Sequence, residues 1–337
     1  MDIPIISKIQ PRHRILDWSH FARQWQNIFG LALVSVFIGV ALFAEVLAPN
    51  PDIFFPSDIA WPDDPLYLSP HPPGDGTLLG TLPVRVLHRQ MDVYTVLIRG
   101  TRSALLFGLI TGLSTAMIGV IIGTISGWVG GWQSGMLMRF SDAMMTFPVI
   151  IAVVFIEQLF MAMIGESSTI SLLEWSYNAR LAEIFRSIDP VLVAIVLFSW
   201  MPYARLTNTM ILRVKQKEYV CASRALGADS YMIMKDHLIP NSISPAIVLL
   251  ARDIGGFVIL QATFTFIGLS SRSEWGELLA YARDWIIGPG GNLLTRWWVF
   301  LPITLALVLF GIGWSLLGDG LNDWLNPKTR SMKMPNL

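Results

Sequence analysis

Charge is scarce in this chain. Only 14% of its 337 residues are Asp, Glu, Lys or Arg, where a soluble domain carries about 25%. Hydrophobic residues fill the gap at 53%, with a mean hydropathy of +0.54. They lie in long runs, which marks an integral membrane protein in a lipid bilayer. The formal net charge is zero and no basic patch stands out, which argues against a nucleic-acid partner. A single cysteine, Cys221, excludes an internal disulfide and leaves the redox compartment open. It falls in a polar stretch and reads as a small packing residue. The five histidines sit at spacings that suit no metal site. There is no Gly-x-x-x-x-Gly-Lys-Ser/Thr phosphate loop, so the chain is not itself an ATPase, and neither a His-Glu-x-x-His nor a Gly-x-Ser-x-Gly motif occurs. A membrane enzyme is thus disfavoured; a transporter part, a channel or a structural membrane protein remains.

The apolar runs set out six spans. Residues 1–30 are polar and carry Lys8, Arg12, Arg14 and Arg23; the first run, 31–48, is broken only by Glu45. It is too long for a signal core and lacks a small-residue cleavage site, so it reads as an uncleaved span. Residues 49–100 form the one long insert, with nine of the 20 prolines. That density excludes a single helix and predicts extended loop with short pieces of structure, followed by an amphipathic surface helix over 92–102. The second span covers about 103–128. Ala104, Gly108, Gly112 and Ala116, then Gly119, Gly123 and Gly127, recur at a spacing that lets helix backbones approach closely in a bilayer.

A turn at 130–134 leads to Arg139 and Asp142, three apart and expected to pair on one helix face. The third span, 143–164, takes a kink from Pro148 and holds Glu157, an intramembrane acid and so a candidate functional group. A polar loop, 165–188, precedes the fourth span, 190–212, with Pro202 and Arg205 near its end. The fifth, 245–269, opens on a capping Ser244 and Pro245 at the first helical position. Its Arg252 and Asp253 point about 100° apart on a helix, so their partners are expected on other helices or in a polar cavity. Gln261 lies further along. Residues 270–296 read as a loop with Trp275, Trp285 and a glycine-rich run at 288–291, before a sixth span at 297–317 and a tail at 321–337. Arg139, Asp142, Glu157, Arg252, Asp253 and Gln261 are the candidates for a translocation path or for polar helix packing.

Six spans put both ends on one side. That side holds 14 of the 24 Lys and Arg against nine opposite, an excess that marks the termini as cytoplasmic and the proline-rich insert as external.

The most informative stretch runs from Glu218 to Asn241, a polar interlude that spanning does not require. Glu218, Ala222 and Ala225 share a helix face, and Gly227 stops that helix. Asp229 caps a second helix, on which Tyr231, Met234 and Leu238 form an apolar stripe, and Pro240 is expected to close it. The stretch resembles the cytoplasmic loop of binding-protein-dependent ABC importer permeases, whose pattern is Glu-Ala-Ala, a Gly four or five residues later, and a closing His-x-x-Pro-Asn. The matches are Glu218, Ala222, Gly227, His237, Pro240 and Asn241. Three further stretches are similar to that family in the same order. They are Arg139 to Asp142 with Phe147-Pro148; Phe264 to Leu269 with Trp275-Gly276, Ala280, Arg283 and Asp284; and Leu317 to Asp323 with Asn326-Pro327. Together they cover roughly residues 96–330 and resemble the second permease subunit of the dipeptide, oligopeptide and nickel branch. Two departures stand out. Of a Gly-Thr-Asp…Gly-Arg-Asp segment before the second span only Leu79-Gly80-Thr81 remains, and an acid common in the middle of the fifth span is Gln261 here.

The resemblance implies an all-α, six-span type I ABC importer (MetI-like) permease fold, with a core over 101–320 and an ATPase-coupling loop over 213–241. It implies a heterodimer with a second permease subunit, two cytoplasmic ATPase subunits that use the ATP, and an external solute-binding protein that delivers peptide. It implies no cofactor bound by this chain and a place in the cytoplasmic membrane of a prokaryote. On the matched positions, Glu218 fixes the first helix or meets a basic ATPase residue, Gly227 supplies a backbone angle that a side chain resists, and His237 and Asn241 cap and orient. The loop would act as a lever that nucleotide-driven closure moves. Nickel or a sugar oligomer stays open as the substrate. So does an ion-gradient-driven carrier, which would want inverted repeats and for which Arg252, Asp253 and Glu157 are the polar groups.

Overall fold

A computed structural model describes residues 21, 24–50, 52–54, 69–74, 76–84, 89–164, 187–269, 272–287, 291 and 294–325. The apolar runs fold as helices, α1 (Trp25–Leu42) and the short α2 (Ala44–Leu47) first. α1 starts at Trp25 rather than at residue 31 because its polar first turn is anchored: Asn27 is buried and donates its side-chain amide to the Phe21 carbonyl at 3.3 Å.

The insert contributes a two-stranded antiparallel sheet, β1 (Thr81–Val84) and β2 (Arg89–Asp92), with Leu82 opposite Met91. Leu82, Val84 and Met91 are fully buried. Asp92 then caps α3 (Val93–Val129) by accepting from the amides of Tyr94 and Thr95. The surface helix expected at 92–102 is therefore the first part of the second span. Its Val93, Val96 and Ile98 are buried, and nothing before Ser103 breaks the 37-residue helix.

α4 (Gly131–Met145) and α5 (Val149–Ile164) follow, bent by 86° where they meet. The expected kink at Pro148 is a full break, since proline lacks the amide to continue the ladder and pushes Phe147 out of the helical region. The turn expected at 130–134 shrinks to the junction at Gly130, and the rest is the first turn of α4. α6 (Pro190–Ser199) and α7 (Met201–Lys215) make one span, interrupted at Trp200. A hairpin follows: α8 (Glu218–Ala225), α9 (Ser230–Ile233), a π turn (Met234–Leu238) and α10 (Ile239–Ser242). α11 (Ser244–Phe266), α12 (Glu274–Ile286), a 3-10 turn (Trp297–Val299) and α13 (Leu301–Leu325) complete the order.

Three sequence expectations need correction here. Residues 270–296 are not all loop. Ser273 accepts from the Gly276 amide to start α12, and the buried Trp275 indole donates to the Leu97 carbonyl at 3.2 Å. Ser244 does not cap α11 but lies inside it, because α10 runs almost directly into α11. The last helix continues to Leu325, past residue 317. Most of the 165–188 loop, the 288–290 run and residues 326–337 lie outside the described residues.

Five helices, or pairs in line, are long and apolar enough to cross a membrane, and the bent pair α4–α5 makes a sixth span. The described helices thus fit the six-span, helical architecture that the resemblance implies. α3 is central, lying along α7 and α11, while α13 lies along α11 and α1. The glycine spacing on α3 sets its approach to α7. A Cβ on Gly119 would stand 2.4 Å from the Trp200 carbonyl oxygen, and one on Gly123 2.4 Å from that of Ala204. Gly108 and Gly112 face α11 instead. A cluster of Phe37, Trp275, Phe310 and Trp314 fills the core where α1, α12 and α13 meet, with the Phe37 and Phe310 rings edge to face at 5.1 Å. The bundle thus has a sheet end, with β1, β2 and α12, and a hairpin end, with α8 to α10.

Candidate functional site

The hairpin is held from beneath by a core of its own. Val220 of α8, Ile233 of α9 and Leu238 of the π turn are buried together with Ile211 and Val214 of α7. The hairpin and the end of the fourth span therefore form one body. Lys215 ties that body to α3: its Nζ donates to the Trp128 carbonyl at 2.6 Å and lies 5.2 Å from the Trp128 ring centroid. The apolar stripe expected on the second helix is rotated. Ile233 and Leu238 are buried, whereas Tyr231 and Met232 face outward. Pro240 does not close the helix but sits in the first turn of α10, because the π turn before it already shifts the hydrogen-bond ladder that the missing amide would interrupt.

The two arms are tied across the break. His237 Nε2 and Ser223 Oγ lie 3.0 Å apart, and the His237 and Tyr219 rings meet edge to face at 5.7 Å. Asn241 Nδ2 donates to the His237 carbonyl at 2.6 Å. Gly227 forms the tip at φ +85. Its amide donates to the Arg224 carbonyl and that of Ala228 to the Ser223 carbonyl, the paired bonds of a Schellman motif. Asp229 accepts from the Tyr231 amide at 3.3 Å and opens α9. Glu218, Ala222 and Ala225 lie together on the outer, exposed face of α8, as does Cys221, which is exposed rather than a packing residue. At the tip, Leu226 is 89% exposed and Tyr231 69%. A rigid, internally bonded element that leaves large apolar side chains uncovered is shaped to seat against another surface.

The polar candidates in the bundle sort into separate contacts. Asp142 does not pair with Arg139. It meets Arg205 of α7 at 2.9 Å, because α4 packs against α7. Arg252 pairs with Asp319 of α13, and Asp253 accepts from the Tyr203 hydroxyl of α7 at 2.7 Å. The two neighbours thus reach opposite helices, as their 100° separation requires. Glu157 is buried on α5. Gln261 Nε2 donates to Asp189 Oδ2 at 3.2 Å, and the same carboxylate accepts from the Arg272 amide and from Val191 at the start of α6. Asp189 escaped the sequence reading, though Asp-Pro at a helix start was a signal for it. A buried triad of Ser126, Ser134 and Asn208, with contacts of 2.9 to 3.1 Å, also escaped it; isolated serines and an asparagine carry no periodicity that would have exposed them.

Residues 119–331, more than half of the chain and all of the hairpin, match the family model described as "Binding-protein-dependent transport system inner membrane component". Among curated proteins, the chain is 30% identical to a probable D,D-dipeptide transport system permease protein of Escherichia coli strain K12, over 70% of each chain. It is 29% identical to a glutathione transport system permease protein of Pectobacterium atrosepticum, over 93% of this chain and 91% of that one. It is 28% identical to a di/tripeptide transport system permease protein of Pseudomonas aeruginosa, over 93% and 92%. The helical architecture, the tied hairpin and these matches together place the chain in the family of binding-protein-dependent transport system inner membrane components.

Proposed function

We propose that the chain is one permease subunit of an ATP-driven ABC importer of short peptides, working as a heterodimer with a second permease. Two cytoplasmic ATPases hydrolyse the ATP, and an external solute-binding protein delivers the peptide. Support for the substrate class comes from the relatives, whose names specify D,D-dipeptides, glutathione and di/tripeptides. Support for the orientation comes from the excess of Lys and Arg on the side of the hairpin and termini.

The observation that carries the coupling role is the outer face of the hairpin, with Leu226, Tyr231 and Tyr219 exposed around a fixed glycine tip. Such a face suits a groove on an ATPase, as amphipathic helices seat in grooves elsewhere. Because the hairpin shares its core with Ile211 and Val214, a push on the tip moves α7. The close α3–α7 contact at Gly119 and Gly123 passes that movement to the central helix. The spans then alternate between inward and outward openings under nucleotide control.

The test is uptake of labelled dipeptide into proteoliposomes holding both permeases and the binding protein, with and without the two ATPases. Uptake that needs the ATPases and ATP is the expected result. Uptake that persists without them, driven by an ion gradient, would establish a secondary carrier instead.

A further inference from the structure

At the sheet end, the C-termini of α11 and α12 and strand β1 line an open pocket of about 420 Å³. Its walls include Pro83, Phe266, Tyr281 and Trp285, and its polar groups include Arg283 and Asp284. It is separate from the hairpin, at the other end of the bundle, and from the ion pairs between helices. Its volume falls at the lower end of small-ligand sites, which run from about 300 to 1,000 Å³.

Two opposite charges stand side by side in this lining. Arg283 Nε and Asp284 Oδ1 are 3.9 Å apart, beyond hydrogen-bond distance, and their side chains are 56% and 74% exposed. So exposed a pair is screened by solvent and does little to hold α12 in place. Each group keeps hydrogen-bonding capacity toward the cavity: the guanidinium fork matches a carboxylate, and the Asp carboxylate matches an ammonium. Phe266, Tyr281 and Trp285 supply apolar wall, and Trp285 is braced by the Arg296 guanidinium 4.8 Å from its ring centroid. A ligand that answers all of this carries an anionic group and a cationic group with apolar surface between them. A nickel ion would meet the positive Arg283. A neutral sugar oligomer would leave the two charges to face only each other.

We propose that this cavity binds the two free ends of a short peptide: Arg283 takes the α-carboxylate, Asp284 the α-ammonium, and the aromatic wall the side chains. An extended dipeptide is about 7 Å long, so the two exposed side chains, 3.9 Å apart here, swing apart to meet its two ends. The proposal rests on the peptide-import reading and deepens it by adding a site on the permease itself.

Equilibrium binding tests it on the assembled complex of permeases and ATPases in nanodiscs, without the binding protein. The probes are a labelled alanine–phenylalanine dipeptide, its C-terminal amide and its N-acetyl form. The unblocked dipeptide should bind, and either blocked form should bind about tenfold more weakly. Arg283→Gln should weaken the unblocked peptide about tenfold yet leave the amide no weaker than wild type does. Asp284→Asn should do the same with respect to the N-acetyl form. No binding to the wild-type complex, or equal losses for all three probes in both variants, would overturn the proposal. ATP-driven dipeptide uptake into vesicles separates the two levels. Uptake that is intact while binding fails these criteria sinks this site alone, whereas absence of any ATP-driven uptake sinks the peptide reading on which it rests.

Discussion

Ser223 Oγ and His237 Nε2 sit 3.0 Å apart, a side-chain hydrogen bond across the break of the hairpin. It joins the arm that carries Glu218 to the arm that leads into α11. A single hydrogen bond of this kind contributes about 1 kcal/mol net, equivalent to roughly a fivefold change in an equilibrium. Ser223→Ala and His237→Ala should each lower peptide-stimulated ATPase activity by about that factor, and the double variant should lose no more than the worse single. A double-mutant cycle on ATPase activity reads this directly; additive losses would mean that the two residues act independently.

Gly227 tests the tip. A Cβ there meets nothing within 4 Å, but its φ is +85, so a side chain is resisted by the backbone and not by neighbours. Such a conformation costs an ordinary residue about 1–2 kcal/mol, less for asparagine, which tolerates it. Transport should therefore fall in the order Gly227→Asn, Gly227→Ala, Gly227→Val, with membrane insertion unchanged in all three. Equal transport by the valine variant would show that the tip is an ordinary loop.

The contact between α3 and α7 behaves oppositely. At Gly123 a Cβ would lie 2.4 Å from the Ala204 carbonyl oxygen, whereas at Gly39 on α1 nothing lies within 4 Å. Gly123→Leu should force the helices apart and sharply reduce the yield of monodisperse protein in size-exclusion chromatography. Gly39→Ala should be neutral or slightly stabilising, as alanine is the better helix former.

Much of this was legible in the sequence. The six apolar runs, the glycine ladder on the second span and the Gly227 stop follow from local rules that tertiary context does not alter. What local rules miss is the partner. The three-residue spacing matches Asp142 with Arg139, but α4 packs against α7, and there Asp142 meets Arg205. The stripe Tyr231, Met234, Leu238 fits an α-helical period, yet the π turn changes that period, so that Leu238 shares the buried face with Ile233 while Tyr231 is exposed. α12 was hidden because a 13-residue helix with acids in its first turn reads as loop between spans, although Trp275 is its buried anchor.

Tyr203 and Asp253 link α7 to α11 at 2.7 Å. Removing the hydroxyl leaves a half-buried carboxylate without that donor, a loss of about 1–3 kcal/mol. Tyr203→Phe should lower thermal stability of the purified complex, and Asp253→Asn in the same background should recover part of it by removing the charge. No recovery would mean that the loss reflects packing around the ring.

Glu274 gives a pH signature at the sheet end. Burial holds its carboxyl above the ordinary glutamate range, against the charge of Arg99, which pulls it down. A raised value means that the folded state holds the proton more tightly than the unfolded chain. Ionisation therefore costs stability as pH rises above about 4.3, and the cost is complete above the folded value. Glu274→Gln should raise the melting temperature at pH 7.5 relative to wild type, and the difference should vanish below about pH 4. A difference independent of pH would assign the effect to packing.

Cys221 provides the most direct measurement, since it is the chain's single cysteine and lies exposed on the outer face of α8. A membrane-impermeant maleimide, applied to vesicles of known orientation, reports both the side and the cover of the hairpin. Labelling is expected only from the cytoplasmic face, rapid with the permeases alone and strongly slowed once the ATPases are bound. Labelling from the external face, or at a rate that the ATPases leave unchanged, would contradict a hairpin through which nucleotide drives transport.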